Sequence, residues 1–408
     1  MRRNFFLILL FLILLSLLLD TYVWRGLKVI QEGRSLKEVF WTVSIFVTGL
    51  FAYAFYRVIP TRKITPFFNG VLNVFLALLV SKLVFAAVLL IGDIFRLPIA
   101  AINYFSNSNS EVMPARFKQV SYIASALALV TLGYFLFGIT RGKYHYKVHR
   151  KVIYFKELPE EFDGFTITQI SDIHSGSFDN KFAVERGINL INAQKSDLFV
   201  FTGDMVNNKA EEISPYIDIF KKIEAPFGKF SILGNHDYGD YVSWNSIEEK
   251  QHNLNKLKGY HKEINFRLLL DESVSIKKNG QEIILAGVEN WGLGFGQRGN
   301  LKKALAKVHP ASFKILLSHD PSHLDAEVKN NPMRIDISLA GHTHGMQFGF
   351  EAFGFKWSPV KYRYKNWAGL FEENGRYLYV NRGFGFIGFS GRVGIWPEIT
   401  VLELKRAI

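Results

Sequence analysis

Five short segments place metal-ligating side chains where apolar runs end: Asp172-Ile173-His174, Gly203-Asp204, Gly234-Asn235-His236-Asp237, Ser318-His319 and Gly341-His342-Thr343-His344-Gly345. The chain has no cysteine, so any metal is held by His, Asp, Glu, Asn or a carbonyl, and no disulfide framework exists. A mixture of imidazole, carboxylate and amide suits Zn²⁺, Mn²⁺ or Fe, whereas Mg²⁺ draws on fewer histidines. One aspartate can bridge two cations, while the other ligands divide into an oxygen-rich and a nitrogen-rich group. Cations roughly 3.5–4 Å apart can clamp phosphoryl oxygens for in-line attack. His236, next to Asn235, suits the acid that protonates a leaving group, with Asp237 to orient it. Singly, each segment is ordinary, since Gly-Asp turns and loop histidines serve many purposes. Their order, and their shared position after an apolar run, argue for one site.

The runs that must position them are Phe165–Ile170, Asp197–Thr202, Phe230–Leu233, Lys314–Ser318 and Ile335–Ala340. They are short, rich in β-formers and separated by polar, helix-like stretches, which predicts an α/β domain. Open α/β sheets collect their sites beyond the carboxyl ends of strands, so five such ends can converge. The glycines around His342 and His344 predict a turn that re-aims the two rings. His309 and His323 fall outside this pattern and read as surface or helix-cap residues. Trp291–Gly296 reads as a flexible rim loop. Arg382 and Arg392 suit either a bidentate grip on phosphate or structural ion pairs. Phe348, Phe350, Phe353, Phe355 and Trp357 read as core packing, with an apolar rim for a lipid substrate as the alternative.

The first 150 residues have a different texture. Apolar stretches near 4–24, 39–58, 70–92 and 119–140 each approach the ~20 residues that a bilayer requires. The first follows Arg2-Arg3 and precedes no small-x-small cleavage site, so it reads as an uncleaved span. Lys82 interrupts the third, with Asp93 or Glu38 as expected partners, or with its stem snorkelling to the surface. Residues 1–150 carry 17 Lys+Arg and 5 Asp+Glu (+12), leaving 49 − 17 = 32 and 36 − 5 = 31 (+1) for residues 151–408. The positive charge therefore flanks the apolar stretches, which suits lipid headgroups and orientation signals and argues against a nucleic-acid groove. With the N-terminus inside, the inner segments hold ten basic residues (Arg2, Arg3, Arg57, Arg62, Lys63, Arg141, Lys143, Lys147, Arg150, Lys151) against seven outside, favouring a cytoplasmic second half. Between the third and fourth stretches, the segment from Leu97 to Pro114, which includes Ser106–Ser110, reads as an irregular polar connection.

From Val152 onward the five segments resemble, in type and order, the calcineurin-like metallophosphoesterase superfamily. Phe162–Ile170 and Tyr377–Gly383, followed by Arg392 and Pro397-Glu398, resemble a narrower bacterial membrane-associated group akin to the transmembrane proteins with a metallophosphoesterase domain. The resemblance implies a four-layer α-β-β-α sandwich (class α/β) over residues 151–408, behind an all-α four-helix transmembrane region over residues 1–150. It also implies two divalent metal ions: Asp172, His174 and His344 on the first, Asp204 bridging, and Asn235, His319 and His342 on the second. His236 would be the catalytic histidine, with Asp237 beside it. The two glycines would then splay His342 and His344 towards different metals. Met346 departs from the pattern, since many relatives carry a further glycine there, and it adds bulk beside the metal mouth.

The expected protein is a multi-pass inner-membrane phosphohydrolase with a cytoplasmic catalytic domain. It would cleave a phosphoester or pyrophosphate of a phosphorylated small molecule, a lipid or a lipid-linked nucleotide sugar of the UDP-2,3-diacylglucosamine type. Membrane lipids are its expected partners and nucleic acid is not. The competing expectation is a transporter or sensor whose soluble domain is a regulatory binder.

Overall fold

The computed structural model describes residues 2–31, 33–61, 65–106 and 112–407. It divides into two compact units, Met1–Thr140 and Arg141–Ile408. The expected break at 150/151 falls inside a strand. Tyr144 and Tyr146 already pack into the core of the second unit, which moves the boundary about ten residues towards the N-terminus.

The first unit contains helices α1 (Arg2–Ile30), α2 (Arg34–Thr61), α3 (Pro66–Phe105) and α4 (Lys118–Thr140), each long and apolar enough to cross a membrane. Thr65 caps α3 by accepting from the Phe68 N–H, and Pro66 takes the first helical position, where its missing donor costs nothing. The helix does not stop near residue 92 as expected. Asp93 accepts from the Tyr22 hydroxyl (2.8 Å), from Arg96 (2.6 Å) and from Arg116, so its charge is compensated and the helix runs on to Phe105. Lys82 neither snorkels nor pairs with Asp93 or Glu38. Its ammonium lies 2.6 Å from Asp20 on α1 and donates to Ser44 on α2 at 2.9 Å, while Ser44 also donates to Asp20. Glu38 is instead paired with Arg34. Arg62 and Lys63 of the basic count, and Asn107 to Ser110 of the expected polar connection, lie outside the described residues.

The strands of the second unit, in chain order, begin with β1 (Lys147–Phe155), β2 (Thr166–Ile170), β3 (Leu198–Phe201), β4 (Lys229–Ser231), β5 (Arg267–Leu268), β6 (Glu272–Lys278) and β7 (Gln281–Gly287). They continue with β8 (Trp291–Gly292), β9 (Gly296–Gln297), β10 (Lys314–Leu317), β11 (Ile337–Ala340), β12 (Phe350–Ala352), β13 (Phe355–Trp357), β14 (Gly369–Glu373), β15 (Arg376–Val380) and β16 (Glu398–Arg406). Two mixed sheets result among the described residues, ordered β1-β16-β2-β3-β4-β5 and β14-β15-β11-β10-β7-β6, together with the hairpins β8-β9 and β12-β13.

Period-2 alternation tells each sheet which face to bury. Leu198 and Val200 on β3 join Ile283 and Leu285 on β7, Ile315 and Leu317 on β10, and Ile337 and Leu339 on β11 in one apolar layer between the sheets. The intervening Phe199 and Phe201 face the other way, onto α5 (Lys181–Asn192), α6 (Ile217–Lys221) and α7 (Ile247–Glu263) through Ile188, Phe220 and Leu257. On the far side of the second sheet, Ile284, Ala286 and Leu316 pack against Leu301 of α8 (Leu301–Ala304) and against Leu324 and Val328. Helices, sheet, sheet and helices give the expected four layers. The parallel strands β2, β3 and β4 of one sheet, and β10 and β11 of the other, end at the five ligand-bearing segments.

Candidate metal centre

At the strand ends the chain turns sharply. Asp172, His174, Asp204, His342 and His344 all adopt the left-handed region, with φ of 54°, 46°, 63°, 68° and 51°. A non-glycine residue held there costs roughly 1–3 kcal/mol, so the surrounding layers must impose the turn. The histidines themselves, rather than both flanking glycines, carry the reversal around His342-Thr343-His344. Gly341 serves clearance: a Cβ there would meet Ser171 Oγ at 1.8 Å and Asp172 Oδ2 at 2.4 Å. Gly234 does the same for Asp204, whose Oδ1 would lie 2.2 Å from an added Cβ.

Two groups of ligand atoms gather there, each within 4.8 Å: Asp172, His174 and His344, and Asp204, His319 and His342. His174 Nε2 and His344 Nε2 lie 3.0 Å apart, and His344 Nε2 is 3.3 Å from Asp172 Oδ1. Asp204 Oδ2 sits 3.5 Å from His174 Nε2 and 3.2 Å from His319 Nε2, facing both groups. Asn235 Oδ1 is 3.1 Å from His319 Nε2 and 2.9 Å from His342 Nδ1. The Asn235 amide donates to the Tyr241 hydroxyl at 2.7 Å, which turns its oxygen inward. His319 donates from Nδ1 to the Thr202 carbonyl at 2.7 Å, leaving Nε2 to face the cluster.

Burial pushes His174 down to about 3, His342 down to about 4 and His344 well below the usual histidine range, so three imidazoles are held neutral. Burial, reinforced by Asp204 and opposed by His319, pushes Asp172 up to about 7. Burial also opposes ionisation of Asp204, yet the imidazolium of His319 holds its carboxyl well below the usual range; Asp204 in turn overcomes the burial of His319 and raises it to about 10. Neutral imidazoles, an ionised aspartate and an inward amide oxygen are a donor set that divalent cations fit. The upward shifts of His319 and Asp172 are those of groups that gather negative charge and lack a nearby cation, and binding of divalent cations there would favour their deprotonated forms.

Two family models match: "Calcineurin-like phosphoesterase" over residues 165–346, and "Probable Calcineurin-like phosphoesterase, transmembrane domain" over residues 1–143. An uncharacterized metallophosphoesterase of Bacillus subtilis, YkuE, is 32% identical over 250 residues, covering 61% of this chain and 82% of that one. This chain belongs to the calcineurin-like phosphoesterases. An uncharacterized metallophosphoesterase of Helicobacter pylori is 24% identical across 96% of this chain and 98% of its own. A Danio rerio transmembrane protein with metallophosphoesterase domain is 25% identical over 70% of this chain and 64% of that one. This chain is accordingly a membrane-associated, metal-dependent phosphoesterase.

Within the phosphoesterase unit all seven expected ligand residues converge, and His236 stands beside them, its ring centroid 4.9 Å from that of His174. Its Nδ1 donates to the Asn207 carbonyl at 2.8 Å and its backbone N–H to Asp204 Oδ1, so Nε2 is left facing away from the chain's own carbonyl. Asp237 does not orient that ring. Its buried carboxylate accepts from the backbone N–H groups of Asp204, Met205, Val206 and Gly234, stapling two ligand-bearing turns together. The sequence reading missed Asp320, whose Oδ2 lies 3.3 Å from His342 Nε2 and accepts from the Tyr364 hydroxyl at 3.0 Å. The signal was its place next to His319 at a strand end. It also missed Tyr241, 4.4 Å from the His236 ring, and Phe295, 4.5 Å from that of His342.

Arg382 pairs with Glu398 (2.5 Å) and Glu351 (2.7 Å), and the fully buried Arg392 donates to the Gly385 carbonyl, so neither reaches a substrate. His323 is buried on Ser318 and Glu327, and His309 accepts from the Ala311 N–H within a turn.

Proposed function

We propose that this membrane-held phosphoesterase hydrolyses a phosphoester or pyrophosphate of a lipid or a lipid-linked nucleotide sugar. The observation that carries the reading is Asp204, whose carboxylate faces both ligand groups at once. Asp172, His174 and His344 would hold one divalent cation, and Asn235, His319 and His342 the other, with Asp204 shared. Bound there, Mn²⁺, Zn²⁺ or Fe would polarise the phosphoryl oxygens and offset the charge that develops on them. His236, with Nδ1 anchored on Asn207, is the residue to pass a proton to the leaving oxygen from Nε2. Tyr241, Phe295 and Tyr364 supply a ring-lined mouth of the kind that excludes water.

The test is hydrolysis by the full chain with added Mn²⁺, comparing a lipid-linked pyrophosphate with its water-soluble headgroup. Preference for the lipid-linked form is expected; equal rates would remove the lipid from this reading. The basic count favours a cytoplasmic catalytic unit on an inner membrane, and side-specific proteolysis of intact cells reports the side directly. A second reading, a transporter or sensor with a regulatory soluble domain, draws on the buried Asp20–Lys82 pair. Cellular function that survives Asp204→Asn would favour it.

A further inference from the structure

The aromatic segment after the His342-Thr343-His344 turn is not core. Phe350, Phe353 and Phe355 are exposed, as are Met346 before them and Tyr362 after them. Strands β12 and β13 pair Phe350 with Trp357 and Ala352 with Phe355, and the two-residue turn between them is Phe353-Gly354. Both turn residues have positive φ, 54° and 79°, as this tight hairpin requires. Glycine and asparagine suit such positions; a bulky phenylalanine is an outlier there. The strain is spent on holding one benzene ring fully in water, where it gains nothing from the rest of the fold.

The hairpin is rigidly tied to the catalytic turn. The Ser358 hydroxyl donates to the Gly345 carbonyl at 2.8 Å, the Thr343 hydroxyl donates to the Trp367 carbonyl at 2.7 Å, and Glu351 is ion-paired with Arg382. Residues 346–365 carry four basic side chains (Lys356, Lys361, Arg363, Lys365) and one acid, Glu351, for a net +3. Lys356 is folded over the rings of Trp367 and Phe371, while Lys361, Arg363 and Lys365 are exposed beside Tyr362. Aromatic rings projecting from a rigid β-turn, flanked by exposed cations and with the sole acid neutralised, match the interfacial zone of a bilayer that contains anionic lipid. Lipid is also the surface that a chain with four membrane-spanning helices meets throughout its life.

We propose that the Phe350–Trp357 hairpin, with Met346 and the basic segment Lys361–Lys365, is a bilayer-docking element that sets the mouth of the metal centre against the lipid headgroup layer. It deepens the proposed function by naming the element that meets lipid, and its readout is independent of catalysis.

The absence of cysteine gives a clean test. Full-length Phe353→Cys, labelled with an environment-sensitive fluorophore, is placed in nanodiscs of phosphatidylcholine with and without phosphatidylglycerol. Asn374→Cys, at the exposed turn between β14 and β15, is the comparison. The expected result is several-fold stronger quenching by doxyl-labelled lipid at position 353 than at 374, weak quenching by aqueous iodide at 353, and a larger contrast with phosphatidylglycerol. Lys361→Gln with Lys365→Gln is expected to remove that added contrast. Iodide quenching at 353 as strong as at 374 overturns the proposal, and so does shielding from both quenchers, which would mean a protein covers the hairpin. A cooperative thermal unfolding transition of the same labelled protein, followed by circular dichroism, verifies that the unit is folded, and its turnover of a lipid-linked pyrophosphate is measured separately. Turnover without lipid contact refutes the docking element alone; lipid contact without turnover refutes the catalytic reading alone.

Discussion

The two units bury ionisable groups in opposite ways. Between α1, α2 and α3, Asp20 and Lys82 close on each other with Ser44 completing the contact, so each charge has its counter-charge. In the phosphoesterase unit, Asp204, Asn235 and five histidines or aspartates turn their nitrogen and oxygen atoms towards common points, where Asp204 and His319 pair in part but the set as a whole is not divided into matched partners. A closed pair specifies which helices neighbour which; an open set of acceptors specifies a ligand. Arg382–Glu398 is a closed pair inside the second unit, so the distinction belongs to the geometry and not to the unit.

The open set breaks most completely at the shared carboxylate. Asp204→Asn is expected to lower Mn²⁺-dependent hydrolysis of a soluble phosphodiester by well over the roughly 10–100-fold typical of residues that act through a ligand. Chelation should have the same effect on turnover while leaving the circular dichroism of the folded chain unchanged.

Closed pairs break asymmetrically. Lys82→Met or Asp20→Leu alone leaves a buried charge and should destabilise the chain by about 3–5 kcal/mol, whereas the double change should recover most of the loss. Thermal unfolding in detergent, followed through the four-member cycle, measures this. Additive losses would mean the pair is not closed.

The second closed pair is readable by pH. Although burial opposes it, Arg382 holds Glu398 down at about 2. Against an unfolded value of ~4.3, the ionised form stabilises the fold fully above that pH, and the contribution fades as pH falls towards 2. Glu398→Gln should therefore remove roughly 3 kcal/mol at neutral pH and flatten the acid limb of the stability profile.

Asp320 lies between the two types, being bonded to His342 without joining the cluster. Asp320→Asn should weaken Mn²⁺ affinity roughly 10–100-fold, the smallest effect of the four, with turnover recovering at high metal concentration. No recovery would place Asp320 among the ligands themselves.

Much of this was legible in the chain alone because the informative patterns are local. Strands β2, β3, β4, β10 and β11 announce themselves as short β-rich runs, and each is followed within a few residues by a side chain that could bind metal. The spans are legible for the same reason, since a stretch of about twenty apolar residues has few alternatives. Pairings over long sequence distances were not legible. Asp20 stands 62 positions before Lys82, and nothing near either residue names the other. Asp237 looked like a partner for its neighbour His236, yet a backbone turn directs its carboxylate to the amides of Asp204, Met205 and Val206. The Phe350–Phe355 stretch reads as core by composition, and only the hairpin's register and its exposed tip show otherwise.

The sequence by itself thus determined which residues could bind metal, that five short strands end beside them, that four apolar spans precede them, and that the positive charge belongs to the membrane half. The tertiary structure decided which lone pairs meet, which charges cancel and which rings face water. Those outcomes depend on distances between segments far apart in the chain, and on left-handed turns at Asp172, His174, Asp204, His342 and His344. Asp and His tolerate the left-handed region better than most side chains, but that preference alone is too weak to choose such turns. The packed layers of the two sheets impose them.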